Sequence, residues 1–289
     1  MNGARTTPPI LANKHHDAAS VFTPESLLRE AKRQKGGADI NIPEICILDP
    51  DGDIVRYLKA SGRARSHPGW VCYHTELQLF DEQGVTFGIV GCAVGASFAV
   101  LVAEEMFVSG CKLLISITSA GQIFPLGRPP YFILIEKALR DEGTSYHYMP
   151  PTEWSAISPA LLDRLAGDWE PDDVPILRGS TWTTDAPFRE TAAAITAMRD
   201  MGVHAVEMEA AALYALSAAR KRPIICFAHV TNQMGIIEDD FEKGEANGAF
   251  DALSVVHRIA VRLNGDVGQI AASTEATKGP GSETYVITI

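Results

Sequence analysis

The sequence predicts an α/β fold, and three stretches carry that expectation. Each joins a short apolar run, suited to a buried strand, to a helix-forming run across a turn of small or acidic residues. Ile45-Cys46-Ile47-Leu48 feeds through Asp49-Pro50-Asp51-Gly52 into a helix carrying Arg56. Val85 to Val90 leads through Gly91-Cys92-Ala93-Val94-Gly95 into a long helix that runs to Val108. Val203 to Val206 leads through Glu207-Met208-Glu209 into Ala210-Ala211-Ala212-Leu213-Tyr214, a strong helix former. Such strand-to-helix junctions are where α/β folds present ligand-binding groups.

The remaining elements follow in chain order. Residues 1 to 22 are mixed in composition, carry Pro8-Pro9 and His15-His16, and read as a loosely ordered arm. Thr23-Pro24-Glu25 opens a helix with proline at its first position, which runs to Lys35 and closes on Gly36-Gly37. Between Ser61 and Tyr73, with His74 nearby, lie Arg63, Arg65 and His67, the composition of a solvated basic loop. Cys111 to Gly121 is a central strand ending in small and hydroxylated residues. Pro129 to Gly143 reads as a helix ending at glycine, and Pro150 to Asp173 as a surface excursion with a short helix. Leu177 to Arg189 precedes another helix that ends near Gly202. Pro223 to Asn232 is the last central strand, and residues 246 to 264 form a closing helix. The Gly/Ser/Thr-rich tail, 265–289, ends in Tyr285-Val286-Ile287-Thr288-Ile289, suited to edge pairing in an oligomer. No repeat or linker divides 23–264, which is expected to be one domain.

Bulk properties narrow the function classes. A chain of 289 residues with 46% hydrophobic and 21% charged residues has the make-up of a globular enzyme with one sizeable core. A net charge of -11 argues against nucleic acid or an anionic membrane as the main partner. The five cysteines show no metal-ligand or redox spacing, so reduced and mostly buried thiols, as in a cytoplasmic protein, are expected. No apolar run reaches membrane-spanning length, and no signal-peptide core is visible at the N-terminus.

The chemistry gathers at the junctions. Glu207 and Glu209 are carboxylates able to accept hydrogen bonds from two vicinal hydroxyls, as on a ribose. Acidic residues also simply favour the first turn of a helix, and both readings stand at this point. Asp49 to Arg56 combines a glycine turn, free helix N-terminal amides and a guanidinium, which makes an oxyanion cradle. Most Asp-Gly pairs are only turns. His229 reads as a core histidine, and Asn232 either as a ligand contact or as a strand-end turn former.

Val-Glu-Met-Glu-Ala-Ala-Ala-Leu-Tyr-Ala-Leu-Ser, 206–217, closely resembles the ribose-binding signature of the superfamily of hexameric-type purine nucleoside phosphorylases, uridine phosphorylases and methylthioadenosine nucleosidases. The resemblance extends over about 45–264. It implies that Met208 and Glu209 hold the sugar hydroxyls. The Asp51-Gly52-Asp53-Ile54-Val55-Arg56 stretch resembles the phosphorylases' Pro-Gly-Asp-Pro-x-Arg loop, so Gly52 and Arg56 fall on phosphate contacts, while Asp51 and Ile54 replace the two prolines. Gly91 to Gly95 is similar to the family's Gly-x-Gly-x-Gly turn with Ala93 at the middle glycine. Ser116 to Gly121 resembles the Arg-x-Gly-Ser-x-Gly phosphate strand: Ser119 and Gly121 match, but Ser116 stands where the arginine clamp belongs. Thr183-Thr184-Asp185 resembles the Ser-x-Asp before a base-stacking aromatic, which leaves Phe188, or Trp182, for that role. Core packing is the commoner use of an aromatic flanking proline. Asn232 stands where purine enzymes of the family carry Asp and bacterial uridine phosphorylases carry Asn. An amide donates and accepts but cannot act as an acid, so 6-oxopurines or uracil are the implied bases.

The implied fold is a three-layer α/β/α sandwich around a mixed, partly barrel-like sheet, assembled as a homodimer or homohexamer. The implied activity is nucleoside phosphorolysis to free base and ribose 1-phosphate. Phosphate is co-substrate and no metal or other cofactor takes part; Arg56 and Asn232 act on the reacting groups. With Ser116 in place of arginine, a raised phosphate requirement is expected, offset in part by Arg63, Arg65 or Arg189. Two alternatives stand beside this: a nucleosidase using water, and a nucleoside-binding protein that has lost catalysis.

Overall fold

The computed structural model describes residues 7–36, 40–167, 174–234 and 241–263. The first half of the chain forms α1 (Pro24–Lys35), β1 (Ile45–Asp49), α2 (Asp53–Ala60), β2 (Arg65–Ser66), β3 (Gln78–Glu82), β4 (Val85–Gly91), α3 (Ala96–Val108) and β5 (Leu113–Gln122). It continues as β6 (Tyr131–Asp141), β7 (Trp154–Ala156), α4 (Pro159–Arg164) and β8 (Ile176–Thr184). The last part holds α5 (Ala192–Asp200), β9 (Ala205–Glu207), α6 (Ala210–Arg220), β10 (Ile224–Asn232) and α7 (Ala249–Arg262).

The strands make one mixed sheet in the order β10-β6-β8-β9-β5-β1-β4-β3-β2, and β10 also pairs with β5. That extra pairing closes five strands into a barrel, which is the partly barrel-like sheet that the family resemblance implies. Helices cover it in two packed groups, α2 with α7 and α3 with α1 and α6. The core is built from the buried runs of the central strands, such as Ile47-Leu48, Leu113-Leu114-Ile115 and Ile224-Ile225, under the alanine-rich α6. β1, β4 and β10 run parallel to β5 or to a strand beside it. Their carboxyl ends therefore open on one edge, the usual place for a ligand in such a sheet.

Helix α1 has the expected ends: Thr23 Oγ1 accepts from the Ser26 amide at 3.2 Å, and Gly36 closes the helix at φ 70°. The stretch 129–143 corrects the sequence reading. It is not a helix but strand β6, flanked by β10 on one side and β8 on the other. Tyr131-Phe132-Ile133-Leu134-Ile135 is a continuous aromatic and aliphatic run, which periodicity alone does not separate from a buried helix, and the two neighbouring strands decide it. The excursion after Pro150 carries its short helix, α4, and also β7, which pairs with β6.

The arm expected to be loose is docked where it is described. Lys14 Nζ lies 3.0 Å from His147 Nδ1, and His16 Nε2 lies 3.1 Å from the Tyr146 carbonyl. The edge strand expected at 285–289 falls outside the described residues. Cys46, Cys72, Cys111 and Cys226 are buried thiols as expected, while Cys92 is exposed. Among the described residues no helix is long and apolar enough to cross a membrane.

Candidate active site

The β9–α6 junction separates the two glutamates. Glu207 accepts from the Glu209 and Ala210 amides, both at 2.7 Å, and from the hydroxyls of Thr181 at 3.0 Å and Thr183 at 2.5 Å. It is a helix-start carboxylate, the plain structural role. Glu209 makes no such cap. Its carboxylate turns to the ends of other strands and accepts from the Gly95 amide at 2.7 Å, the Thr118 hydroxyl at 2.9 Å and the Met208 amide at 3.3 Å. A carboxylate offers about four acceptor positions, so roughly one is left for a ligand hydroxyl. Only 1% of Glu209 is exposed. Burial first, and the charge of Glu207 next, push its pKa up to about 8. Burial also raises the Glu207 carboxyl. Met208 is half-buried beside them.

At the β1–α2 junction, where the sequence predicts an anion cradle, several of the donors are engaged within the chain. Asp49 is buried at the strand end and caps α2: its Oδ1 accepts from the Gly52 amide at 3.0 Å and its Oδ2 from the Val55 amide at 2.9 Å. Burial pushes its pKa up to about 7 in spite of those amides. Gly52 has φ 77°, and a Cβ there would stand 2.5 Å from Cys92 Sγ and 2.8 Å from the Arg56 guanidinium, so the turn requires glycine. Arg56 donates to Asp53 Oδ1 and to the Asp51 carbonyl, both at 2.7 Å. Lys243 Nζ holds the other Asp53 oxygen at 2.6 Å. The Ser119 amide donates to Asp51 Oδ2 at 2.6 Å. Ser116 is buried between β1 and β10 and its hydroxyl has no hydrogen-bond partner among the described residues.

At the third corner, Asn232 pairs with Gly121 across β10 and β5. Its Oδ1 accepts from the Met234 amide at 2.9 Å, and one Nδ2 hydrogen goes to Thr231 Oγ1 at 3.2 Å. An amide nitrogen has two hydrogens, which leaves one for a ligand. Met234 covers Gly121: a Cβ on that glycine would meet Met234 Sδ at 2.4 Å and Asn232 Oδ1 at 3.3 Å. His229 is buried and stacks on Phe132 with centroids 4.4 Å apart, as a core histidine would, yet its Nε2 has no hydrogen-bond partner among the described residues. It lines a cavity of about 20 Å3 shared with Asp49, Asp51, Asp53, Thr118 and Ser119.

The structure thus brings Gly52, Arg56, Ser119, Gly121, Glu207, Met208, Glu209 and Asn232 to the strand ends and the junctions beside them. It does not bring Phe188, which is fully exposed in the short turn Pro187–Arg189. Trp182 is core, packed with Ile123, Leu139, Val203 and Val206, and its Nε1 donates to Asp141 at 2.9 Å. The basic loop is not free to serve the anion site within this chain, because Arg65 pairs with Asp81 at 2.8 Å and Arg63 pairs with Glu82. Sequence reasoning missed three contributors: the Gly95 amide, the Thr118 hydroxyl and the Asp51 carboxylate. The first two sit in stretches already marked as ligand-facing. The third was visible only as a substituted proline.

A family model described as the phosphorylase superfamily matches residues 44–261, and the chain belongs to that family. A DeoD-type purine nucleoside phosphorylase of Streptococcus pyogenes serotype M12 is 27% identical over 154 residues, covering 51% of this chain and 65% of that protein, so the match spans less than two thirds of its length. Solved structures share the fold. A uridine phosphorylase from Vibrio fischeri ES114 superposes with a TM-score of 0.57 at 17% identity, covering 84% of this chain and 93% of that one. A purine nucleoside phosphorylase from Toxoplasma gondii gives 0.61 at 14%, covering 78% and 92%. A Campylobacter jejuni 5'-methylthioadenosine/S-adenosyl homocysteine nucleosidase gives 0.58 at 15%, covering 76% and 98%.

Proposed function

We propose that this chain cleaves the N-glycosidic bond of a nucleoside, transferring the pentosyl group from the base to an acceptor at the β1–α2 corner. The observation that carries the reading is the Glu209 carboxylate, buried and turned away from the capping role that Glu207 fills. Its remaining acceptor position suits a sugar hydroxyl, and a sugar fixed there keeps its anomeric carbon in place as positive charge develops on the ring. The base lies toward Asn232, whose free N–H stabilises negative charge on a departing 6-oxopurine or uracil without delivering a proton.

Two acceptors are open to such a site. Phosphate, yielding ribose 1-phosphate, is the one that Gly52, Arg56 and Ser119 suggest and that the names of the phosphorylase relatives support. Water, yielding free pentose, is favoured by a separate observation, the Asp51 carboxylate on the Ser119 amide. The reading is tested by incubating the protein with purine and pyrimidine nucleosides and following release of free base. Release from inosine, guanosine or uridine is expected, with adenosine poorer. No release from any nucleoside, with or without phosphate, contradicts it.

A further inference from the structure

The sugar corner has most of its hydrogen-bond acceptors filled before any ligand arrives. Glu209 Oε1 accepts from the Gly95 amide at 2.7 Å. Oε2 accepts from the Thr118 hydroxyl at 2.9 Å and from the Met208 amide at 3.3 Å. Each carboxylate oxygen offers about two acceptor positions, so Oε2 is filled from within the chain and one position remains, on Oε1. A ribose brings two vicinal hydroxyls to such a carboxylate. One of them finds Oε1. The other finds no open acceptor on Glu209, and the Met208 amide, which could have served it as a donor, is spent on Oε2. Glu209 is buried, and a polar group brought to a buried position without a partner carries the full cost of losing its water.

Thr118 is the side chain responsible. It is buried in β5, and its hydroxyl has two acceptors in reach. The Ser119 carbonyl stands at 3.5 Å, the outer limit of a hydrogen bond, and Glu209 at 2.9 Å, so the proton goes to the carboxylate. The pattern that Ser116 to Gly121 resembles, Arg-x-Gly-Ser-x-Gly, has glycine where Thr118 stands. A glycine has no hydroxyl to give, so this contact is one that the present chain adds. The other two donors on Glu209 are backbone amides, present whatever residue stands at 118. The side chain at 118 therefore decides how many sugar hydroxyls Glu209 can receive.

We propose that Thr118 determines the sugar specificity of this site by holding Glu209 so that it receives one hydroxyl, and that the preferred substrates are 2′-deoxyribonucleosides rather than ribonucleosides. The proposal rests on the nucleoside-cleaving reading above and names its substrate class. A 2′-deoxy sugar presents its 3′-hydroxyl alone to the carboxylate, which matches the one open position. A ribose must also strip water from its 2′-hydroxyl and gains no partner for it. Thr118 acts through Glu209 and is a positioning residue.

The test is base release from uridine against 2′-deoxyuridine and from inosine against 2′-deoxyinosine, at millimolar phosphate and above pH 8, where the Glu209 carboxyl is ionised. The wild type should favour the 2′-deoxy member of a pair by about tenfold or more in kcat/KM. Thr118→Val keeps the branched shape and removes the hydroxyl, and should shift that ratio by about tenfold toward the ribonucleoside. Thr118→Ser keeps the hydroxyl and should keep the wild-type preference. The ratio is internal to each protein, so a general loss of stability does not move it. Circular dichroism confirms folding, and Thr118→Gly takes the place of Thr118→Val if the latter does not fold. Equal efficiency on both sugars in the wild type overturns the proposal, and so does a folded Thr118→Val or Thr118→Gly with the wild-type ratio. Base release from neither member of either pair removes the nucleoside-cleaving reading itself, and this proposal with it.

Discussion

The sugar corner and the anion corner of this site are both built from a carboxylate lying on a backbone amide, and they differ in what that contact leaves open. Glu209 takes the Gly95 amide and keeps an acceptor position for a ligand. Asp51 takes the Ser119 amide and so closes that donor to a ligand. One corner retains its motif residue by residue; the other retains glycine and arginine but carries Asp51 where the family has a proline. A motif therefore reports which backbone is present, and the side chains filling it report what the backbone can still receive.

The largest effect should come from the sugar corner. Measured above pH 8, where its carboxyl is ionised, Glu209→Ala is expected to lower kcat/KM by about tenfold to a hundredfold, the equivalent of a charge-assisted hydrogen bond of about 1.5–3 kcal/mol. A folded variant with wild-type kinetics would remove Glu209 from the site and erase the contrast.

The next largest effect is on pH dependence. The ionised Glu209 is the better acceptor for a sugar hydroxyl, and its pKa is pushed up to about 8. Efficiency should therefore rise with pH and level off above that value, falling by up to about tenfold per pH unit below it. Stability should move the other way. A carboxyl raised above its usual 4.5 holds its proton longer in the folded state, so its contribution is full at acid pH and is lost as pH rises toward about 8. A thermal-shift series beside the rate profile checks both signs, and a profile flat from neutral to alkaline pH would contradict the assignment.

Arg56→Ala probes the other corner and should do less. If the guanidinium only braces Asp53 and the Asp51 carbonyl, kcat/KM changes by less than about threefold, since such an exposed pair is worth about 0–1 kcal/mol. A steep rise in phosphate requirement in this variant would show instead that Arg56 binds the acceptor. The smallest effect belongs to Phe188→Ala, where the exposed ring predicts unchanged melting and an unchanged KM for nucleoside in the isolated chain. A large KM increase would mean the ring reaches a base after all.

Much of the fold was legible because its signals are local. The Thr23 cap and Gly36 stop of α1, the strand–turn–helix at Ile45–Arg56 and the alanine run of α6 each declare themselves within a dozen residues. Strand β6 was not legible, because a buried apolar run takes its state from β8 and β10, which lie far along the chain. The same division runs through the site. The Glu-Met-Glu signature marked Glu209, but only folding shows that Glu207 caps the helix while Glu209 crosses to Gly95 and Thr118. Asp51 was seen as a lost proline; its meaning depends on a strand end 68 residues away. That His229 Nε2 and the Ser116 hydroxyl find no hydrogen-bond partner among the described residues is a property of packing, and no pattern in the sequence announces it.

The most direct measurement is the identity of the sugar product formed from a cleaved nucleoside, followed by NMR in the absence of phosphate and at millimolar phosphate. A sugar product should appear, as free pentose under both conditions where water is the acceptor, or as pentose 1-phosphate at a rate that climbs with phosphate where phosphate is. Nucleoside that stays intact under both conditions would contradict the account.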